Sequence, residues 1–207
     1  MRPDAHTEAA YVEAFSEIAR RIAAVLGSAP AAALPIRMYV AGGAALHFHT
    51  GVRVSVDVDA VFSHRIALPA DLDVAYLDPD GSPRLVYFDR QYNDTLGLLH
   101  EDAHDASTVL DLDGVDAAVL QVRLLAPLDL AVSKLSRYSA QDQADIVALA
   151  ARGLIVPSAL EHRATDALVA YVGDVGRVRA NLRHALAAVA RAQTPSGRRR
   201  RKQDEAP

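Results

Sequence analysis

The 207-residue chain contains no cysteine and no tryptophan, two methionines, and only 5% aromatic residues. Without cysteine there is no disulfide scaffold, thiolate zinc site, iron–sulfur cluster or cysteine nucleophile. So few aromatic rings argue against a base-stacking platform. Long apolar runs are also missing. None reaches the roughly 20 residues that span a bilayer, and the first ten residues lack the apolar region of a signal peptide, so a cytoplasmic protein without a membrane partner is expected. Lysine is the last scarcity: of 22 basic residues only Lys134 and Lys202 are lysines. An alanine- and arginine-rich composition accounts for this as coding bias, and it leaves one lysine in the body of the chain.

What is present suffices for a globular fold. The chain is 51% hydrophobic and 23% charged, enough to bury a core, at a size of one ordinary domain or a compact core with a helical annex. Its end, from Thr194 to Pro207, holds Arg198–Lys202 and few apolar residues, and reads as a disordered basic tail. That tail carries five positive and two negative charges, so the remainder stands at about −7 against −4 for the whole, an acidic body unlike a general nucleic-acid binder.

Periodicity places the elements. Tyr11, Phe15, Ile18, Ile22 and Val25 recur at steps of three and four, predicting an amphipathic helix over Glu8–Leu26. Ile36–Ala41 reads as a buried strand that runs into Gly42-Gly43, followed by a short helix over Ala44–Thr50. Val54–Phe62 alternates strictly and predicts a strand, with further strands at Val74–Leu77, Leu85–Phe88, Thr95–Leu99 and Val119–Leu125. Beyond Pro127 the pattern is helical: Pro127–Tyr138, Ala140–Arg152, Pro157–Val172 and Asp174–Ala192. The expected fold is α+β, with a mixed sheet and an N-terminal helix in a core over 1–126 and a helical part over 127–193 packed on it.

Two constellations carry chemistry. In the first, alternation sets Asp57 and Asp59 on one face of a strand, where two repelling carboxylates call for a hard divalent ion, Mg²⁺ first and Mn²⁺ as the alternative. The diglycine turn of Gly42-Gly43 lets backbone N–H groups approach phosphate oxygens, and Arg53 and Ser55 lie just upstream of the acids to add contacts. In the second, Lys134 and Arg137 share a helix face, as do Asp142 and Asp145 on the next helix. Taken alone, each constellation also fits a bland reading: harmless aspartates on an edge strand, and salt bridges between adjacent helices.

A third pattern competes. His100-Glu101-Asp102-Ala103-His104 is a literal HExxH, the motif of zinc metallopeptidases, though no third ligand stands at a family spacing; Glu161-His162 is the nearest pair. His47-Phe48-His49 reads as local packing.

The run Val40-Ala41-Gly42-Gly43, then thirteen residues, then Asp57-Val58-Asp59-Ala60-Val61, resembles the signature of the DNA polymerase beta-like nucleotidyltransferase superfamily. The Lys134-Leu135 and Asp142…Asp145-Ile146 stretch is similar to the abortive-infection type E (AbiEii-like) toxin branch. The resemblance covers about residues 36–155. It implies that Asp57 and Asp59 hold the metal, that Gly42 and Gly43 cradle the triphosphate of an NTP, that Lys134 grips phosphates, and that Asp142 or Asp145 is required for catalysis. It further implies a third acid that takes the acceptor's proton, with Asp102 the first choice and Asp89 and Asp105 the rivals. The expected activity is transfer of an NMP to a tRNA 3′ end or a protein, by the toxin of a pair restrained by an antitoxin. The alternatives are a non-catalytic, antitoxin-like binding module of the same fold and the HExxH peptidase.

Overall fold

In the computed structural model, residues 1–3, 6–95 and 97–194 are described; the basic stretch Arg198–Lys202 lies outside them. The architecture is α+β, with two small sheets flanked by helices. Helix α1 (Ala9–Leu26) buries Tyr11, Phe15, Ile18 and Ile22, the stripe its spacing predicts. It packs that stripe across strands of both sheets: β4 (Asp73–Leu77) and β5 (Pro83–Phe88) of one, and β7 (Leu120–Leu124) of the other.

Strand β1 (Ile36–Val40) is central in a four-stranded sheet. It runs parallel to β7 and antiparallel to β3 (Ala60–Phe62), while β6 (Thr108–Val109) closes the far side of β7. The second sheet has the order β2 (Asp57–Val58), β5, β4, with β2 parallel and β4 antiparallel to β5. Hence the alternating segment Val54–Phe62 is not one strand. It leaves one sheet after Val58 and joins the other at Ala60, and Asp59 is the residue between. Alternation reports which face a side chain takes but not which partner strand it meets.

The expected strand Thr95–Leu99 is absent among the described residues. There the Asn93 carboxamide accepts the Thr95 N–H at 2.8 Å and the Asp94 carbonyl accepts the Gly97 N–H at 2.9 Å, local bonds that replace a ladder. Strand β6, two residues long, is too short for periodicity to reveal. Strand β5 opens at Pro83, two residues before the expected Leu85, and a first strand position tolerates the missing N–H.

The C-terminal helices are α3 (Pro127–Ser133), α4 (Ala140–Ala151), α5 (Pro157–Ala167) and α6 (Val175–Gln193). α3 ends five residues before Tyr138, which takes φ 51°, and Lys134 stands as its C-cap. α5 stops before Val169 and Val172, which find no cover and are 89% and 83% exposed. One apolar cluster runs from α1 through both sheets into α3–α6, so the helical part shares the core of the sheets.

Candidate active site

The site begins where β1 stops. The Ala41 N–H donates to the Asp59 carbonyl at 2.8 Å, which pins the crossover between the sheets beneath the diglycine turn. Helix α2 (Gly42–Thr50) opens at Gly42, two residues earlier than expected, and no side chain caps its first turn. Gly42 has φ +58°, and a Cβ there would overlap the Asp59 carboxylate. A Cβ at Gly43 would run into Ser55 Oγ and approach Arg53 Nη1 to 2.9 Å. Both glycines therefore make room for the residues already singled out around the acids.

Ser55 Oγ donates to Asp57 Oδ1 at 2.7 Å. Asp57 pairs with Tyr87 across the parallel β2–β5 ladder, and the Asp89 N–H donates to the Val58 carbonyl at 3.0 Å. Asp89 thus stands one step past the ladder on the strand beside Asp59. Burial, then the charge of Asp57, then that of Asp89 push the Asp59 carboxyl up to about 6; Lys134 and Arg137 act in the opposite direction.

The cations face these acids from α3 and the turn after it. Lys134 is 7% exposed, and its ammonium donates to Asp145 Oδ2 at 2.7 Å and lies 3.7 Å from Asp142 Oδ1. Arg137 grips Asp142 through two bonds of 2.8 Å. Arg53 grips Asp145 through bonds of 3.1 and 2.9 Å, and Gln141 adds a third donor at 2.9 Å. Asp142 also completes the capping box of α4 with Ser139. For Asp142, burial opposes the charged form, but the bonds from Arg137 and Ser139 outweigh it and hold the carboxyl at about 2. For Asp145, burial is likewise outweighed by Arg53 and Lys134, and its pKa is lowered.

Every oxygen of Asp142 and Asp145 is bonded, and both carboxyls are 1% exposed. Asp145 accepts two hydrogen bonds on each oxygen, whereas Asp142 Oδ1 accepts one, from Arg137. Both acids fix the positions of Arg53, Lys134 and Arg137, and Asp142, expected with Asp145 as a candidate catalytic acid, also lines the cleft beside Lys134. Together Gly42, Asp59, Tyr92, Lys134 and Arg137 line a cleft of about 210 Å³.

Across residues 14–188 the chain matches the family model described as "Nucleotidyltransferase of unknown function (DUF6036)". The chain belongs to this nucleotidyltransferase family. The match begins within α1, ends within α6 and takes in all the residues that line the cleft. No curated protein matches the chain.

In this nucleotidyltransferase, Asp102 does not reach the cleft. It sits with Asp105 in the turns of residues 101–106, its side chain 65% exposed beside His100. Asp89, and not Asp102 or Asp105, neighbours Asp59. Its signal was an acid directly after an apolar strand, but that strand's partner was not readable. The HExxH segment also takes a different form from a peptidase, for it is a run of turns and not a helix. His104 stacks on Tyr39 at 4.3 Å between ring centres and bonds Asp94 at 2.9 Å, while His100 Nδ1 accepts the Asp102 N–H. Among the described residues no three His, Cys, Asp or Glu side chains are grouped to hold a metal. Asp57 and Asp59 offer a pair of hard oxygen ligands, and that donor set fits Mg²⁺, which keeps several waters and takes its other ligands from substrate phosphates.

One position went unremarked in the sequence and another takes a further role. Tyr92 lines the cleft, and burial raises its phenol pKa. His47, expected only to pack, accepts the Glu8 N–H at 3.0 Å on Nε2 and so donates from Nδ1 to the Arg53 carbonyl at 2.9 Å. It anchors the backbone from which Arg53 reaches Asp145.

Proposed function

We propose that this nucleotidyltransferase moves an NMP from an NTP to an acceptor hydroxyl in a Mg²⁺-dependent reaction. The observation that supports it is one cleft lined by Asp59, the buried Lys134 and the exposed Arg137, both cations pre-paired, with Asp57 and Asp89 close enough to Asp59 to raise its pKa. Asp57 and Asp59 would hold the metal, which when bound would offset triphosphate charge and polarise the α-phosphoryl oxygens. Lys134 and Arg137 bind the phosphates and stabilise charge that grows on the leaving pyrophosphate, and the uncapped first turn of α2 adds N–H donors. Asp89 takes the proton of the acceptor hydroxyl as its oxygen bonds to the α-phosphorus and the α–β bridging bond breaks. Because the cations are held by their own buried partners, little reorganisation is needed on binding.

The finer reading follows the likeness to the AbiEii-like branch. The lysine and the two acids of that stretch form one bonded network here, which supports placing the chain in that branch. On this reading the protein is a cytoplasmic toxin, its acceptor a tRNA 3′ end or a protein, and an antitoxin its partner. The test is thermal stabilisation by each NTP with Mg²⁺ or Mn²⁺, lost in Asp57→Ala, followed by labelled NTP with cellular RNA or lysate to find which polymer takes the label. No shift with any NTP would leave a binding module of the same fold.

A further inference from the structure

Strand β4 is an edge: in the order β2-β5-β4 it has a neighbour on one side only among the described residues. The Phe88 N–H donates to the Leu72 carbonyl at 2.8 Å, and the Asp78 N–H to the Ser82 carbonyl at 3.1 Å. Antiparallel pairs that exchange bonds recur every second residue, so Val74 and Tyr76 also turn their backbone groups to β5. Those of Asp73, Ala75 and Leu77 therefore point outward. Arg21 guards one end, donating to the Asp71 and Asp73 carbonyls at 3.0 and 3.3 Å. Ala75 and Leu77 have no such cover among the described residues, although edge strands are ordinarily blunted by charge, proline or an overlying element. The register sets Ala75 beside Leu85 and Leu77 beside Pro83, with Tyr87 on the same face. On that apolar face Leu77, Leu85 and Tyr87 are 62%, 45% and 40% exposed. On the inner side a hollow of about 320 Å³ lies between β4 and α1, lined by Ala10, Ala14, Val74 and Tyr76.

We propose that this edge pairs with the same edge of a second copy of the chain, β4 antiparallel to β4, about a twofold axis at Ala75. Ala75 is the middle one of the three outward residues. An axis there pairs it with its own counterpart, and pairs Asp73 with Leu77 of the second copy in both directions. Each open N–H then meets a carbonyl, and the Asp73 carbonyl has a second lone pair beside the one that Arg21 uses. The axis itself carries a methyl group, so the strands meet there without crowding. A second copy fits because the edge matches itself, as a twofold contact requires. Apolar outer faces run on from one copy into the other. At the ends, antiparallel pairing lays Arg21, 3.6 Å from Asp71, beside the turn of the second copy, where Asp80 is exposed. Each copy thus offers a cation to the other's acid. The sheet becomes twice as wide, while β2, which carries Asp57, stays on the outer edge away from the contact. The inference stands apart from the nucleotidyl-transfer reading.

The test uses the whole chain. Sedimentation of the wild type at micromolar concentration should give twice the 22.1 kDa of one chain. Leu77→Lys, at an exposed position, should return the mass to one chain with the circular dichroism of the wild type. The lack of cysteine supplies a second measurement. Ala75→Cys gives each copy a single thiol, and Cα atoms of a bonded antiparallel pair stand about 5.5 Å apart, within reach of a disulfide. Mild oxidation should therefore link the two copies. Asp73→Cys sets its thiols about 14 Å apart across the same axis and should link poorly. A one-chain mass for the wild type overturns the proposal. It does so in favour of a foreign strand if a fluorescein-labelled peptide of alternating valine and threonine binds the wild type but not Leu77→Lys. A double mass that survives Leu77→Lys, or equal linking by Ala75→Cys and Asp73→Cys, overturns this edge as the contact.

Discussion

The Asp59 carboxylate occupies the volume that a side chain at Gly42 would need. The turn that opens α2 and the acid that joins the two sheets are therefore one packing unit, and neither can change without the other.

Gly42→Ala should make this visible. The substitution forces a φ of +58° on alanine and displaces the carboxylate, at a cost of about 2 kcal/mol or more. Urea unfolding would show the loss, and Mg²⁺-dependent stabilisation by NTP should vanish with it. An unchanged unfolding midpoint would contradict the contact.

Buried charges give an ordering of variants. Asp145→Ala leaves Lys134 inside without its closest partner and should cost about 3–5 kcal/mol. Lys134→Ala should cost less, because Asp145 keeps Arg53 and Asp142 keeps Arg137. Its larger effect should be on NTP affinity; if nucleotide binding survives intact, the rarity of lysine is composition alone. The ranking, measured by denaturant unfolding, is the check.

Asp89→Asn and Asp102→Asn separate the rival third acids. Removing the base beside Asp59 should lower NMP transfer by about 100-fold or more while the Mg²⁺–NTP thermal shift persists. Asp102→Asn, in its exposed turn, should transfer at the wild-type rate. The reverse result would return Asp102 to the site.

Acid should weaken the fold through His47. Burial lowers its pKa below 6.5 even though the Arg53 carbonyl favours the protonated ring. As pH falls through 6.5 the unfolded chain binds a proton that the folded ring resists, so stability drops by up to about 1.4 kcal/mol per pH unit. Asp59, with its raised pKa, contributes with opposite sign below pH 6. The difference between wild type and His47→Asn cancels that contribution, and it should shrink from pH 7.5 to pH 5. A constant difference would show that His47 is not held neutral.

Much of the scaffold was legible in the sequence because it follows local rules. The α1 stripe, the start of α4 at Ala140 and the strands β4 and β5 depend on spacing and turn chemistry within a few residues. Asp57 and Asp59 were singled out by alternation, and Lys134 by its solitude. The division of labour was not legible. An acid on a helix looks the same whether its oxygens are open or bonded already, and only the fold shows that Asp145 accepts four hydrogen bonds while Asp142 both binds Arg137 and lines the cleft. Nor can a chain reveal that Asp89 stands next to Asp59, since a parallel neighbour is chosen by the whole sheet. The HExxH run failed for a similar reason: the spacing needs a helix, and turn bonds supplied none.

Arg53 and Asp145 are 92 residues apart along the chain, yet they close on each other through two hydrogen bonds. A contact of that separation must wait until most of the intervening chain has collapsed, because its loop-closure entropy is spent before it gains anything. On refolding, helical circular dichroism should recover ahead of nucleotide-dependent protection. The cleft would then be among the last features to appear, and nascent chains would stay catalytically silent until α4 had been made.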